Sequence, residues 1–233
     1  MKIPFFVLLG IPLCACDAMP PTAPPAPART TSATVAAAEV ASPAPVPVLA
    51  PAPAPAAAPP SFDCAHAADA IEILVCGDAG LAELDRQLAA SIQAILRKPG
   101  ANRVALVGAH RAWLQRRTAC SNAADARACA VDAYKSRIVR LMLDSGEVMA
   151  PKPTPFTCDD GGGRPFTATF YNDIQPEAAV LAWGDDQAIV FPLPAASGSR
   201  YGTQGVEFWE HQGEAMVDFR SHKMTCKPVA IQR

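Results

Sequence analysis

The sequence predicts an α+β protein with the two structure types in separate domains: a small disulfide-stapled three-helix domain, followed by a small antiparallel β domain. Between residues 61 and 150, apolar residues recur at the spacing of a helix face. Residues 151–233 instead contain short alternating apolar runs between glycine-containing turns. Six of the eight cysteines fall in these two regions, and such an even number is typical of disulfide bonds in an exported protein.

Residues 1–16 are typical of an export signal. Lys2 is followed by an apolar segment of eleven residues from Ile3 to Leu13, too short for a bilayer span of about 20 residues. The stretch Leu13-Cys14-Ala15-Cys16 resembles the bacterial lipobox, whose last cysteine is acylated after cleavage in front of it. This predicts lipidation of Cys16 and attachment to a bacterial membrane, facing the periplasm from the inner or outer membrane or lying at the cell surface. An ordinary signal peptide cleaved nearby is the alternative.

Residues 17–60 consist mainly of Ala and Pro, with Thr, Ser and Val. Such a segment cannot form a core and favours extended polyproline II structure. At about 3.1 Å per residue it could extend on the order of 130 Å. We therefore expect a disordered tether between the membrane and the folded domains.

The predicted helical domain spans 61–150. Asp69 and Glu72 have capping-box spacing with an acidic N-cap. An apolar face follows, ending before Pro99; its residues are Leu81, Leu84, Leu88, Ile92 and Ile95. Two further helices are predicted at about 102–119 and 126–143.

The second predicted helix contains Trp113 and three arginines. Trp113 is expected in the core, with Arg111, Arg116 and Arg117 on the exposed side of the helix. A binding patch that includes Trp113 is the alternative interpretation.

The predicted β domain spans 151–233. Its strands are expected at 166–170, 179–183, 188–191, 206–209 and 215–219. Because this many strands occur in about 80 residues, a small antiparallel barrel or a sandwich is indicated.

The cysteines suggest three bonds. Cys120 and Cys129 flank a turn between helices, Cys64 and Cys76 remain in the helical domain, and Cys158 and Cys226 lie near the two ends of the β domain. Crossed pairing within the helical domain stays open. A zinc site is the alternative, but no CxxC pair is present.

The residues do not suggest an enzyme. No GxSxG, HExxH or phosphate-binding glycine loop occurs, and the carboxylate pairs at 159–160 and 185–186 fall in turn contexts. We expect no catalytic residue, no cofactor and no metal. The formal net charge of −2 also argues against a nucleic-acid partner.

Residues 62–142 resemble the LprI-type lysozyme-inhibitor domain. The matching residues are Cys64, Glu72, Cys76, Asp78, Leu81, Leu84, Asp85, Trp113, Leu114, Arg117, Cys120, Cys129, Tyr134, Arg137 and Ile138. Residues 155–230 resemble the MliC/PliC family of c-type lysozyme inhibitors, through the segments 197–201 and 208–215 between Cys158 and Cys226. The second resemblance implies an eight-stranded antiparallel β-barrel.

The MliC resemblance also implies a binding site. In that family a loop enters the lysozyme cleft, where a Ser hydroxyl and a Lys or Arg bond the catalytic carboxylates. Ser197 and Gly198 match the loop, and Tyr201 is expected mainly to pack it, with contact as a minor role. The position of the family's Lys or Arg is occupied by His211, which is mostly neutral at pH 7 where Lys is charged. The implied lysozyme-binding residues are thus Ser197, Gly198, Tyr201 and His211.

These expectations combine into one functional hypothesis: a membrane-anchored inhibitor that occludes the cleft of c-type lysozyme and so protects peptidoglycan. The region 155–233 has ten acidic and six basic residues, which suits a cationic protein partner. A non-inhibitory cell-envelope protein that binds another wall protein or glycan is the alternative. The oligomeric state is left open by the sequence.

Overall fold

A computed structural model describes residues 58–159 and 162–229. The predicted signal segment 1–16, the predicted lipidation site Cys16 and residues 17–57 of the predicted tether lie outside the described residues. The predicted fold class is confirmed: helices come first, and an antiparallel β-barrel follows.

Within the described residues the chain forms four α-helices, with 3₁₀ turns at Cys64–His66 and Ala119–Asn122. The helices are α1 (Ala70–Gly77), α2 (Ala79–Leu96), α3 (Arg103–Thr118) and α4 (Ala126–Asp144). The last two lie where they were predicted. The first predicted helix is instead two, so the expectation of three helices was wrong by one.

Asp78 causes this division. Its backbone is extended (φ −120°, ψ 113°), and its carboxylate accepts a hydrogen bond from the amide of Leu81 at 2.9 Å. The same side chain pairs with Arg127 of α4 at 2.6 Å. An aspartate that satisfies a free amide of the next helix favours a new N-terminus over a continuous helix.

The predicted capping residue Asp69 begins α1. Its Oδ1 accepts from the amides of Ile71 and Glu72 at 2.9 and 2.8 Å. Glu72 accepts a hydrogen bond from the amide of Ala68 at 2.7 Å, one residue before the usual capping-box position.

Arg117 was predicted to be exposed, and this was wrong. Arg111 and Arg116 are exposed, but Arg117 is only 2 % exposed. Arg117 follows Trp113 by four residues, and residues at this spacing share one helix face. Its guanidinium donates to the Tyr134 hydroxyl at 2.8 Å and to Glu72 at 3.4 Å.

The β region forms a closed antiparallel barrel of eight strands, all inside the described ranges, in which each strand pairs with the next and β8 pairs with β1. The strands are β1 (Thr154–Cys158), β2 (Phe166–Tyr171), β3 (Ala178–Trp183), β4 (Asp186–Pro192), β5 (Ser199–Thr203), β6 (Val206–His211), β7 (Glu214–Phe219) and β8 (His222–Pro228). A barrel, rather than a sandwich, is therefore the observed architecture. Phe156, Phe166 and Phe208 lie in its core with ring centroids 5.7–6.3 Å apart.

Among the described cysteines, disulfide bonds join Cys64 to Cys76, Cys120 to Cys129 and Cys158 to Cys226. The first two connect elements of the helical region. The third connects β1 to β8, at residues that lie directly opposite each other in the sheet register.

The helical and β regions share an apolar cluster. Val139 of α4 packs with Ala178, Ile189 and Phe191 of β3 and β4, and all four are buried. The Thr203 hydroxyl of β5 donates to Asp132 of α4 at 3.1 Å. No helix in the described part of the chain is long and apolar enough to cross a membrane.

Candidate functional site

The four residues implied by the MliC resemblance lie at one end of the barrel, around the connection from β4 to β5. Ser197 and Gly198 end that connection and are exposed. His211 ends β6 and is partly exposed. The structure therefore brings Ser197, Gly198 and His211 together.

Ser197 and His211 contact each other directly. The Ser197 Oγ lies 3.1 Å from the His211 Nδ1. If the imidazole is neutral with its proton on Nε2, the hydroxyl donates to Nδ1. If the imidazole is protonated, Nδ1–H donates to Oγ, and the hydroxyl hydrogen can point to another acceptor.

Trp209 holds this pair in place and was not among the predicted site residues. Its indole Nε1–H donates to the Ser197 carbonyl at 3.1 Å, and its ring stacks on His211 with centroids 5.8 Å apart. Trp209 and His211 are two residues apart on one strand and so point to the same face. That spacing was a signal from which the contact could have been inferred.

Gly198 has a φ of +71°, and the register places Ser199 opposite Glu210. A Cβ at Gly198 would lie 2.0 Å from the Glu210 carbonyl oxygen. A residue with a side chain cannot be accommodated there without movement of the backbone. The loop can therefore lie against β6 only because residue 198 is a glycine.

Tyr201 has a different environment. It is 7 % exposed, its ring lies 5.4 Å from that of Phe170, and its hydroxyl donates to Glu177 at 3.2 Å. Burial, together with the Glu177 charge, raises the pKa of the Tyr201 phenol to about 12. Tyr201 thus packs against the strand behind the loop.

Two ion pairs lie near the site. Arg200 binds Glu207 at 2.8 Å, and Glu214 binds Lys227 at 3.1 Å. Across residues 58–159 and 162–229, no group of three or more His, Cys, Asp or Glu side chains is arranged to hold a metal ion. The arrangement offers hydrogen-bond donors on a fixed, exposed loop.

Comparison with known proteins relates the barrel to a family of lysozyme inhibitors and most of the chain to a lipoprotein. The profile of the MliC family, described as membrane-bound lysozyme-inhibitor of c-type lysozyme, matches residues 156–225. The chain is 39 % identical over 170 residues to "Lipoprotein LprI" of Mycobacterium bovis and of Mycobacterium tuberculosis. The alignment covers 73 % of this chain and 85 % of each relative. No solved structure matches the chain.

Proposed function

The chain belongs to the family of the mycobacterial lipoprotein LprI and includes an MliC-type region, and on that basis we propose that it is a membrane-anchored inhibitor of c-type lysozyme. It would act by binding and not by catalysis. The loop of Ser197 and Gly198, with His211 beside it, would occlude the active-site cleft. The observation that most supports this proposal is the contact of Ser197 with His211 on an exposed loop.

The chemistry of the partner fits this pair. A c-type lysozyme cleaves glycan with two carboxyl groups, one acting as an acid and one as nucleophile or stabiliser. A protonated His211 would donate to Ser197 and free the Ser197 hydroxyl hydrogen for one carboxylate. Its Nε2–H would be available to the other. A cation with two donors therefore replaces the Lys or Arg that the MliC family uses.

The loop is also preorganised. The Trp209 indole donates to the Ser197 carbonyl, and the close contact between Gly198 and Glu210 restricts the conformation of the loop backbone. A loop that is already ordered loses less conformational entropy on binding. This supports a role as a rigid wedge in a cleft.

The proposal includes the location of the protein. Acylation at Cys16 would attach the chain to a bacterial membrane, and residues 17–60 would place the folded part at a distance from it. An inhibitor held there would meet lysozyme as the enzyme reaches the peptidoglycan.

The test is inhibition of muramidase activity. Full-length protein, with its disulfides confirmed intact, is titrated into c-type lysozyme. We expect stoichiometric inhibition, lost in Ser197→Trp because the larger side chain cannot enter the cleft in the same pose. Thr157→Trp is the matched control, since Thr157 is exposed on β1, on the far side of the ring from β5.

Absence of inhibition at micromolar protein would contradict the proposal. The alternative, a non-inhibitory envelope protein that binds another wall protein or glycan, would then be favoured. Equal inhibition by Ser197→Trp and Thr157→Trp would instead show that lysozyme binds to a surface other than this loop.

A further inference from the structure

A cleft of about 390 Å³ lies between the helical region and the barrel. Both regions form its walls. The helices α3 and α4 contribute Trp113, Arg116, Arg137 and Arg140, and β4 and β5 contribute Ile189 and Thr203.

In the described part of the chain, the cleft contains one buried cationic group that lacks a partner, Arg137, with two further arginines beside it. Arg137 is 9 % exposed, and its Nε and Nη2 atoms are buried without a hydrogen bond. Among the described residues, no carboxylate forms an ion pair with Arg116, Arg137 or Arg140. Arg117, which also lines the cleft, differs because it is bonded to Tyr134 and Glu72.

Two neighbouring groups indicate a positive potential here. Burial, followed by repulsion from Arg116, lowers the pKa of Arg137. Burial, followed by the charges of Arg137 and Arg117, lowers the pKa of His110. These shifts agree with the geometry, in which several guanidinium groups surround one cavity.

The acidic residue on the wall forms no ion pair with an arginine of the cleft among the described residues. Asp132 instead accepts a hydrogen bond from Thr203 at 3.1 Å, and burial raises its pKa. A buried cation without a partner is costly, and the usual solution is a bound counter-ion or a hydrogen-bonded group. The cleft is therefore suited to binding an anion.

We propose that this cleft binds a phosphate-bearing molecule. Guanidinium groups match phosphate oxygens with paired hydrogen bonds, and three of them suit a doubly charged anion better than a single carboxylate. Arg137, Arg116 and Arg140 would together supply the guanidinium donors and balance the charge of the anion. Trp113 and Ile189 would contact the organic part of the ligand, because the volume exceeds that of a phosphate group alone.

The experiment uses full-length protein in phosphate-free buffer, at constant ionic strength set with NaCl. Inorganic phosphate, phenyl phosphate and acetate are titrated separately, with binding followed by calorimetry and by the melting temperature. We expect phosphate to bind and raise the melting temperature, phenyl phosphate to bind more tightly, and acetate to bind at least tenfold more weakly than phosphate. Arg137→Gln should weaken phosphate binding at least tenfold.

Arg111→Gln is the control, because Arg111 is exposed on α3, the helix of Arg116, and does not line the cleft. If Arg137→Gln does not fold, the double variant Arg116→Gln/Arg140→Gln tests the same charge at less buried positions. The proposal is overturned if phosphate has no more effect than NaCl of equal ionic strength. It is equally overturned if acetate binds as well as phosphate, or if the cleft variants bind phosphate like the control.

Discussion

The α-carbon of Gly198 lies so close to the carbonyl oxygen of Glu210 that position 198 has no room for a side chain. The contact joins the connection after β4 to the end of β6. It therefore determines where the Ser197 hydroxyl points. The first prediction tests this relationship.

Gly198→Ala should weaken inhibition of c-type lysozyme at least tenfold, because the added methyl group would displace the loop from β6. Gly205→Ala is the control: Gly205 also has a positive φ, of +72°, but nothing lies within 4 Å of its Cβ position. Both variants incur the left-handed backbone cost of about 1–2 kcal/mol, so only the loop contact separates them. Equal inhibition by the two variants would show that the Gly198 contact does not matter.

His211→Lys should bind c-type lysozyme tightly and His211→Gln weakly. The lysine places a cation with several donors at the end of β6, where it can meet the carboxyl groups of the lysozyme cleft, whereas glutamine carries no charge. Affinities of the two variants measured by calorimetry would check this. Equal affinities would show that a charge at residue 211 does not contribute to binding.

Tyr134→Phe should lower the free energy of unfolding by about 1–3 kcal/mol. The Tyr134 hydroxyl accepts from Arg117 at 2.8 Å and donates to Asp85 at 3.0 Å, so its removal leaves two buried charged groups without this partner. Tyr171→Phe is the control, since Tyr171 is also buried but forms no hydrogen bond through its hydroxyl within the described residues. Denaturant unfolding of both variants measures the difference. An equal change in the two would mean that the Arg117 network does not stabilise the fold.

Asp132→Asn should raise the melting temperature at pH 7. Burial raises the pKa of Asp132 despite the hydrogen bond from Thr203. A carboxyl group whose folded pKa lies above its unfolded value stabilises the fold at low pH and loses that contribution as the pH rises through the folded pKa. The advantage of the asparagine should therefore disappear at about pH 3, below the usual aspartate pKa. Asp173→Asn, at an exposed turn, should show no such change. A lower melting temperature for Asp132→Asn at pH 7 would contradict the argument.

Local patterns predicted α3 and α4 well, because their apolar faces and stop signals are properties of neighbouring residues. The division of the first helix was missed although the cap of Asp78 on the Leu81 amide is a local signal. The ion pair of Asp78 with Arg127, which lies on another helix, could not be read from local spacing. Strand β5 was missed because Ser-Arg-Tyr-Gly-Thr shows little apolar alternation. Its burial comes from pairing with β4 and β6.

The contact between the two regions had a sequence signal that was not used. Ile189, Val190 and Phe191 form a continuous apolar run and are all buried. Successive residues of a strand point to opposite faces, so such a run indicates a strand that is covered on both sides. Ile189 and Phe191 pack with Val139 of α4, whereas Val190 belongs to the barrel core. The arginine cleft could not be predicted this way, because it requires α3, α4 and the barrel to be in place together.

The Cys158–Cys226 bond has a mechanical consequence. Tension applied between a residue before Cys158 and a residue after Cys226 can pass at Cys158 through the sulfur atoms to Cys226. The chain between these two cysteines, which includes β2 to β7, is then bypassed by the load. The covalent bond would thus keep most of the ring of strands, together with the loop of Ser197, from being pulled apart when the two ends of the domain are drawn away from each other.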